Sequence, residues 1–140
     1  MACLRTLHEE LLAALAELEG LTSQSGFDEA TLSNIRYRLS RISGARRKLV
    51  ESLCTELIAR GEPAEQLQAL RDGNAATRIA STAHIGTWTL QGVVNDWQGY
   101  CRASATMRAR IRRQIEREKA VLYPYLAPEP AKALARSAAK

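Results

Sequence analysis

Aromatic residues make up only 5% of the 140-residue chain, with a single Phe and two Trp. Val and Ile are sparse, and no stretch alternates apolar with polar residues as a half-buried strand would. No apolar run approaches the roughly 20 residues that cross a bilayer. Arg5, His8, Glu9 and Glu10 interrupt the first turns, where a secretory leader would be continuously apolar. The expectation is a cytoplasmic chain with no membrane segment. Cys3, Cys54 and Cys101 are odd in number and widely spaced, which suggests neither a disulfide framework nor a thiolate zinc site. There is no Gly-rich phosphate loop, no metalloprotease motif and no Ser-His-Asp or Cys-His arrangement with a turn to present it. The sequence therefore points away from an enzyme.

What remains is rich in Ala, Leu, Arg and Glu, residues that lose little side-chain freedom in a helix. The length suits one domain with a core of its own. The formal charge is +5, with arginines grouped at Arg36, Arg38, Arg41, Arg46 and Arg47 and again between Arg102 and Arg117. Such runs are most often solvated helix faces. Acidic Glu116 and Glu118 interrupt the second group, and no RNA-binding pattern of aromatics and glycines accompanies it. A protein partner or a homodimer fits this surface better than nucleic acid.

Four helices follow from the apolar spacing, at about 4–20, 29–60, 75–98 and 102–122. The first carries Leu4, Leu7, Leu11, Leu15 and Leu18; the second, N-capped by Asp28, carries Leu32, Ile35, Leu39, Ile42, Leu49, Leu53 and Leu57. Gly61 and Pro63 end it. A short amphipathic piece from Glu65 to Leu70 leads to an expected break at Asp72-Gly73-Asn74. The third helix should bury Ile79, Ala83, Leu90, Val94 and Trp97, and Gly99 should turn the chain into the fourth, with Met107, Ile111, Ile115 and Leu122 inward. Residues 1–126 read as one antiparallel, up-and-down four-helix bundle, and 127–140 as a basic, Ala-rich tail.

Placing hairpin centres at these turns puts His8, Arg46, His84 and Gln114 in about one layer. At about 100° per residue, Arg46 and Glu118 fall at the centres of their apolar stripes, with Gln114 close by and His84 nearer a flank. Polar residues aimed into an apolar bundle must satisfy one another or bind something.

The end of the fourth helix, Gln114-Ile115-Glu116-Arg117-Glu118 through Leu122-Tyr123-Pro124, resembles the closing motif of the hemerythrin-like (HHE) family. The resemblance covers about residues 4–126. It implies a four-helix bundle holding two irons, with one His each on the first and third helices and His-x-x-x-Glu on the second and fourth. Here Gln114 stands where that motif has His, and Glu118 keeps its carboxylate. On the second helix the pair is either Arg46 with Val50 or Arg47 with Glu51, so an arginine replaces an imidazole. Arginine cannot become a metal ligand, and its charge repels a cation. The reading that follows is a degenerate, metal-free site with a polar core of Arg46, Gln114 and Glu118, in a non-enzymatic interaction or regulatory module. The alternative is a sensor bundle keeping one iron or zinc on His8, His84 and Glu118. A histidine phosphotransfer domain using His84 ranks lower, because Thr87 and Trp88 stand where a basic residue and a glycine usually follow.

Overall fold

The computed structural model describes residues 3–128, which contain five α-helices, a closing 3-10 turn and no strand. They are α1 (Leu4–Thr22), α2 (Glu29–Ala59), α3 (Ala64–Thr87), α4 (Leu90–Asn95) and α5 (Trp97–Leu122), followed by the turn at Tyr123–Tyr125. Of the expected tail at 127–140, residues 129–140 lie outside the described residues. No helix among them is long and apolar enough to cross a membrane.

The second helix forms where its end signals stand. Asp28 accepts the backbone N–H of Thr31 at 3.0 Å, filling one of the donors a helix start leaves open. At the far end of α2, Gly61 adopts φ +93°. Its N–H donates to Ile58 O and that of Glu62 to Leu57 O, the paired closure that needs a left-handed residue after the helix.

The expected break at Asp72-Gly73-Asn74 is absent, and α3 runs straight through it. Asn74 directs its side-chain amide to the carbonyl of Arg47 on α2 (3.3 Å) instead of to its own backbone, so its turn-forming chemistry is diverted. Gly73 is there for proximity. A Cβ at that position would lie 3.0 Å from Gln114 Oε1 on α5. Gly73→Leu is therefore expected to destabilise the protein by about 1–3 kcal/mol, since the added side chain meets a filled space; thermal unfolding would read this as a lowered Tm.

The third helix also ends earlier than its periodicity suggests. It stops at Thr87, and Thr89 caps α4 by accepting the N–H of Gly92. Asp96 then closes α4 and caps α5, accepting the N–H of Gly99 at 2.9 Å. Gly99 thus lies inside the first turn of α5 and is not a turn residue. A Cβ there would fall 2.1 Å from the Asp96 carboxylate, so with Asp96 in this position only glycine fits. Because the true inward face of α3 begins at Leu67 and Leu70, the stripe expected at Ile79, Ala83, Leu90 and Val94 faces solvent, with Ile79 72% exposed.

In the packing, α2 contacts α1 and α3, while α5 contacts α1 and α3. The core falls into three apolar clusters along the long axis. One end holds Leu4, Val50, Cys54, Leu67, Leu70 and Leu122; the middle holds Leu7, Leu11, Leu15, Ile42 and Ile115. The opposite end gathers Leu18, Leu32, Ile35, Val93 and Tyr100, with Trp88 and Trp97 against them. Between the first two clusters lies a set of buried polar side chains.

Candidate functional site: a buried polar core

Glu118 is fully buried (0% exposed), and both of its oxygens are engaged. On Oε1 it accepts His8 Nε2 at 2.8 Å. On Oε2 it accepts Arg46 Nη1 and the Gln114 side-chain amide, the latter at 3.0 Å. His8 Nδ1 lies 2.7 Å from the Tyr123 hydroxyl, so a neutral ring that donates from Nε2 takes the phenolic hydrogen at Nδ1. The carboxylate therefore collects donors from α1, α2 and its own helix, and a tyrosine beyond the helix end fixes the imidazole.

Arg46 is 4% exposed, and burial pushes its guanidinium down from its ordinary value while Glu118 opposes that shift. Arginine keeps its proton inside proteins, so Arg46 and Glu118 form a compensated pair in a dry interior. Such a pair holds together because each ion would be costly alone. Of the two arginines that could take the inward position, Arg46 takes it, with Val50 fully buried one turn on; Arg47 is half-buried at the edge.

Three atoms in this layer have no hydrogen-bond partner: Arg46 Nε, Gln114 Oε1 and Asn74 Oδ1. Asn74, buried beside Gly73, is the α3 member of the layer, and no sequence pattern marked it. Tyr123 was likewise visible only as part of the helix exit, 115 residues from the histidine it contacts.

His84 does not join the layer. It stacks on Tyr100, with ring centroids 5.9 Å apart, near Arg36. Pairing Gly73 with Gln114 moves the midpoint of the α3–α5 connection to between residues 93 and 94, inside α4, whereas the expectation had centred it on Gly99. His84 therefore lies eleven residues beyond Gly73 along α3, about 16 Å at the helical rise. Of the candidate metal set, His8 and Glu118 are therefore in contact and His84 is apart. Among the described residues no three His, Cys, Asp or Glu side chains are grouped to hold a metal ion. A guanidinium and an amide both donate to the Glu118 carboxylate, and neither group is a donor set for a two-iron centre.

Burial and the neighbouring Arg36 hold the His84 imidazole below its usual value of 6.5. A base depressed in the fold takes up its proton more readily when unfolded, so stability is complete above the unfolded value and declines as pH falls through the folded one. Tm is expected to drop on acidification below about pH 6.5, and His84→Gln should flatten that part of the curve.

The cysteines carry no activated thiol in the interior. Burial raises the Cys54 and Cys101 thiols, and neither faces an activating base. Part of the arginine surplus is structural: Arg108, buried in α5, donates to Glu19, Thr22 and Ser104, and Arg38 pairs with Glu17 at 2.9 Å.

No family model, no curated protein and no solved structure matches this chain.

Proposed function

We propose that the chain is a non-enzymatic, hemerythrin-like, antiparallel four-helix bundle in which an internal ion pair stands where the family holds its metals, and that it acts in the cytoplasm as an interaction or regulatory module. The single observation that carries this reading is the Arg46 guanidinium bonded to the Glu118 carboxylate, with His8 and Gln114 on the same group. Four long helices, α1, α2, α3 and α5, supply the bundle, and the short α4 belongs to the last connection. The polar layer combines the chemistry of a ligand shell, one imidazole and one carboxylate, with a covalent cation from the chain itself. An apolar surface for a protein partner or a second copy is offered by exposed Ile79 and Ile85 on α3.

Elemental analysis of the purified protein, grown with ample iron and zinc, tests the reading together with a visible absorption spectrum. The expected result is a folded helical protein with metal far below stoichiometric and no absorption band. Near-stoichiometric iron or zinc, lost on His8→Ala or Glu118→Ala, would overturn it.

A further inference from the structure

The inward stripe of α3 continues from Leu67 and Leu70 through Asn74, Thr77, Ser81 and His84, at helical spacing. Its second half is thus small and polar where a packed bundle would place leucines, and α2 opposes it with Ser40 and Ser43. The result is a cleft in two adjoining parts. One, of about 270 Å³, is walled by apolar side chains including Leu15, Leu18, Leu39, Met107 and Ile111, with Tyr100 and His84 at one side. The other, of about 180 Å³, is walled by Arg46, Arg47 and Arg78 and by hydroxyls including Ser43, Thr77 and Thr82. Ser40, Ser43, Ser81, Ile85 and Ile111 wall both, so the two parts adjoin at these side chains. Their combined size falls in the range of small-molecule sites, about 300–1,000 Å³.

Charge in this cleft has one sign. Five arginines line its two parts, and no Asp or Glu does. Arg36, Arg46 and Arg108 are held by Trp88 O, Glu118 and Glu19 respectively. Arg47 and Arg78 are in no ion pair among the described residues; on their other side, with Thr82, they border a hollow that Glu51 also lines. Arg46 adds a second observation: its Nε–H is buried, unpartnered, and belongs to a side chain that walls the polar part. Arginine forks and hydroxyls together are the donor set that recognises a carboxylate.

We propose that this cleft between α2, α3 and α5 binds a small amphipathic monocarboxylate, with its head on Arg47 and Arg78 and its aliphatic chain in the apolar part. At about 30 Å³ per water-sized group, 270 Å³ accommodates a chain of about nine such groups, which matches a medium-length alkanoate. Ligand sites between helices are a common use of bundle interiors.

Isothermal titration of the intact protein with decanoate, below its micellar concentration, tests this, with decanol and inorganic phosphate as comparison probes. The expected result is saturable one-to-one binding of decanoate, weakened at least about tenfold for decanol, the equivalent of one lost charged contact of about 1.4 kcal/mol. Phosphate, which lacks a chain, should bind no better than decanol. The variant Arg47→Ala/Arg78→Ala, both at the cleft edge and outside the Glu118 network, should lose affinity by a similar factor while its circular dichroism is unchanged. Ser81→Trp, at the junction of the two parts, should abolish binding. No saturable binding of decanoate at millimolar concentration, equal affinity for decanol, or an unaffected arginine double variant would each overturn the proposal. The titration makes no reference to metal, so its failure and that of the polar-core reading are told apart by the metal content of the same sample.

Discussion

Glu118→Ala is expected to destabilise the protein by about 3–5 kcal/mol, the range for breaking a buried ion pair by removing one partner, with a fall in Tm on the order of 10 °C for a domain of this size. The argument rests on what the substitution leaves behind. Arg46 is 4% exposed and would retain its charge with no anion, while His8 and Gln114 would each lose an acceptor. Most of the loss is the stranded cation. Arg46→Met reverses the sign of the problem, stranding the carboxylate instead, and should be of similar size. The double variant Arg46→Met/Glu118→Leu strands neither charge, and apolar replacements of buried pairs are often neutral. Its cost should therefore be smaller than the sum of the single costs by more than about 1 kcal/mol, the signature of residues in one network. Additive losses in chemical denaturation would show that the two side chains do not interact.

Tyr100→Ala is the second large effect, expected at about 3–5 kcal/mol as for other large aromatic truncations in a core. Tyr100 is 1% exposed and is the common neighbour of Trp88, Trp97 and His84, with ring centroids 5.8, 5.9 and 5.9 Å away. Arg36 sits over the same ring at 5.7 Å. Removing it would join the apolar part of the cleft to the space left by the ring and unseat the junction of α4 and α5. The near-ultraviolet circular dichroism of the two tryptophans should collapse with it. Tyr100→Phe keeps the ring and loses one hydroxyl contact to Ser104, so it should cost about 1 kcal/mol or less. A Tyr100→Ala protein as stable as the parent would refute the hub role.

Much of this arrangement was legible in the residues. The ends of α2 were, because a side-chain cap and a left-handed glycine are local devices with few alternatives. So was the inward placement of Arg46, Gln114 and Glu118, because α2 and α5 are long and regular enough for rotation per residue to accumulate little error. The region from residue 62 to 101 was not. Asp72-Gly73-Asn74 has the composition of a turn, yet Asn74 and Gly73 answer to contacts on α2 and α5 that are remote in sequence. Gly99 looks like a helix breaker and is in fact the space for a capping carboxylate. Misplacing that one turn carried His84 into the wrong layer, since a hairpin centre sets the level of every residue after it. Once α3 is taken as a single helix, its stripe of small polar residues, and hence the cleft, follows from the same periodicity.

The arginine at the centre has a consequence for how the fold responds to its surroundings. A bundle whose inner carboxylate is neutralised by a bound ion draws part of its stability from that ion's free concentration, by mass action. Here the neutralising charge is a side chain, present at fixed stoichiometry from the moment the chain is made. Folding should therefore be indifferent to scarcity or excess of dissolved cations. A chelator that unravels a metal-held bundle should leave this one intact.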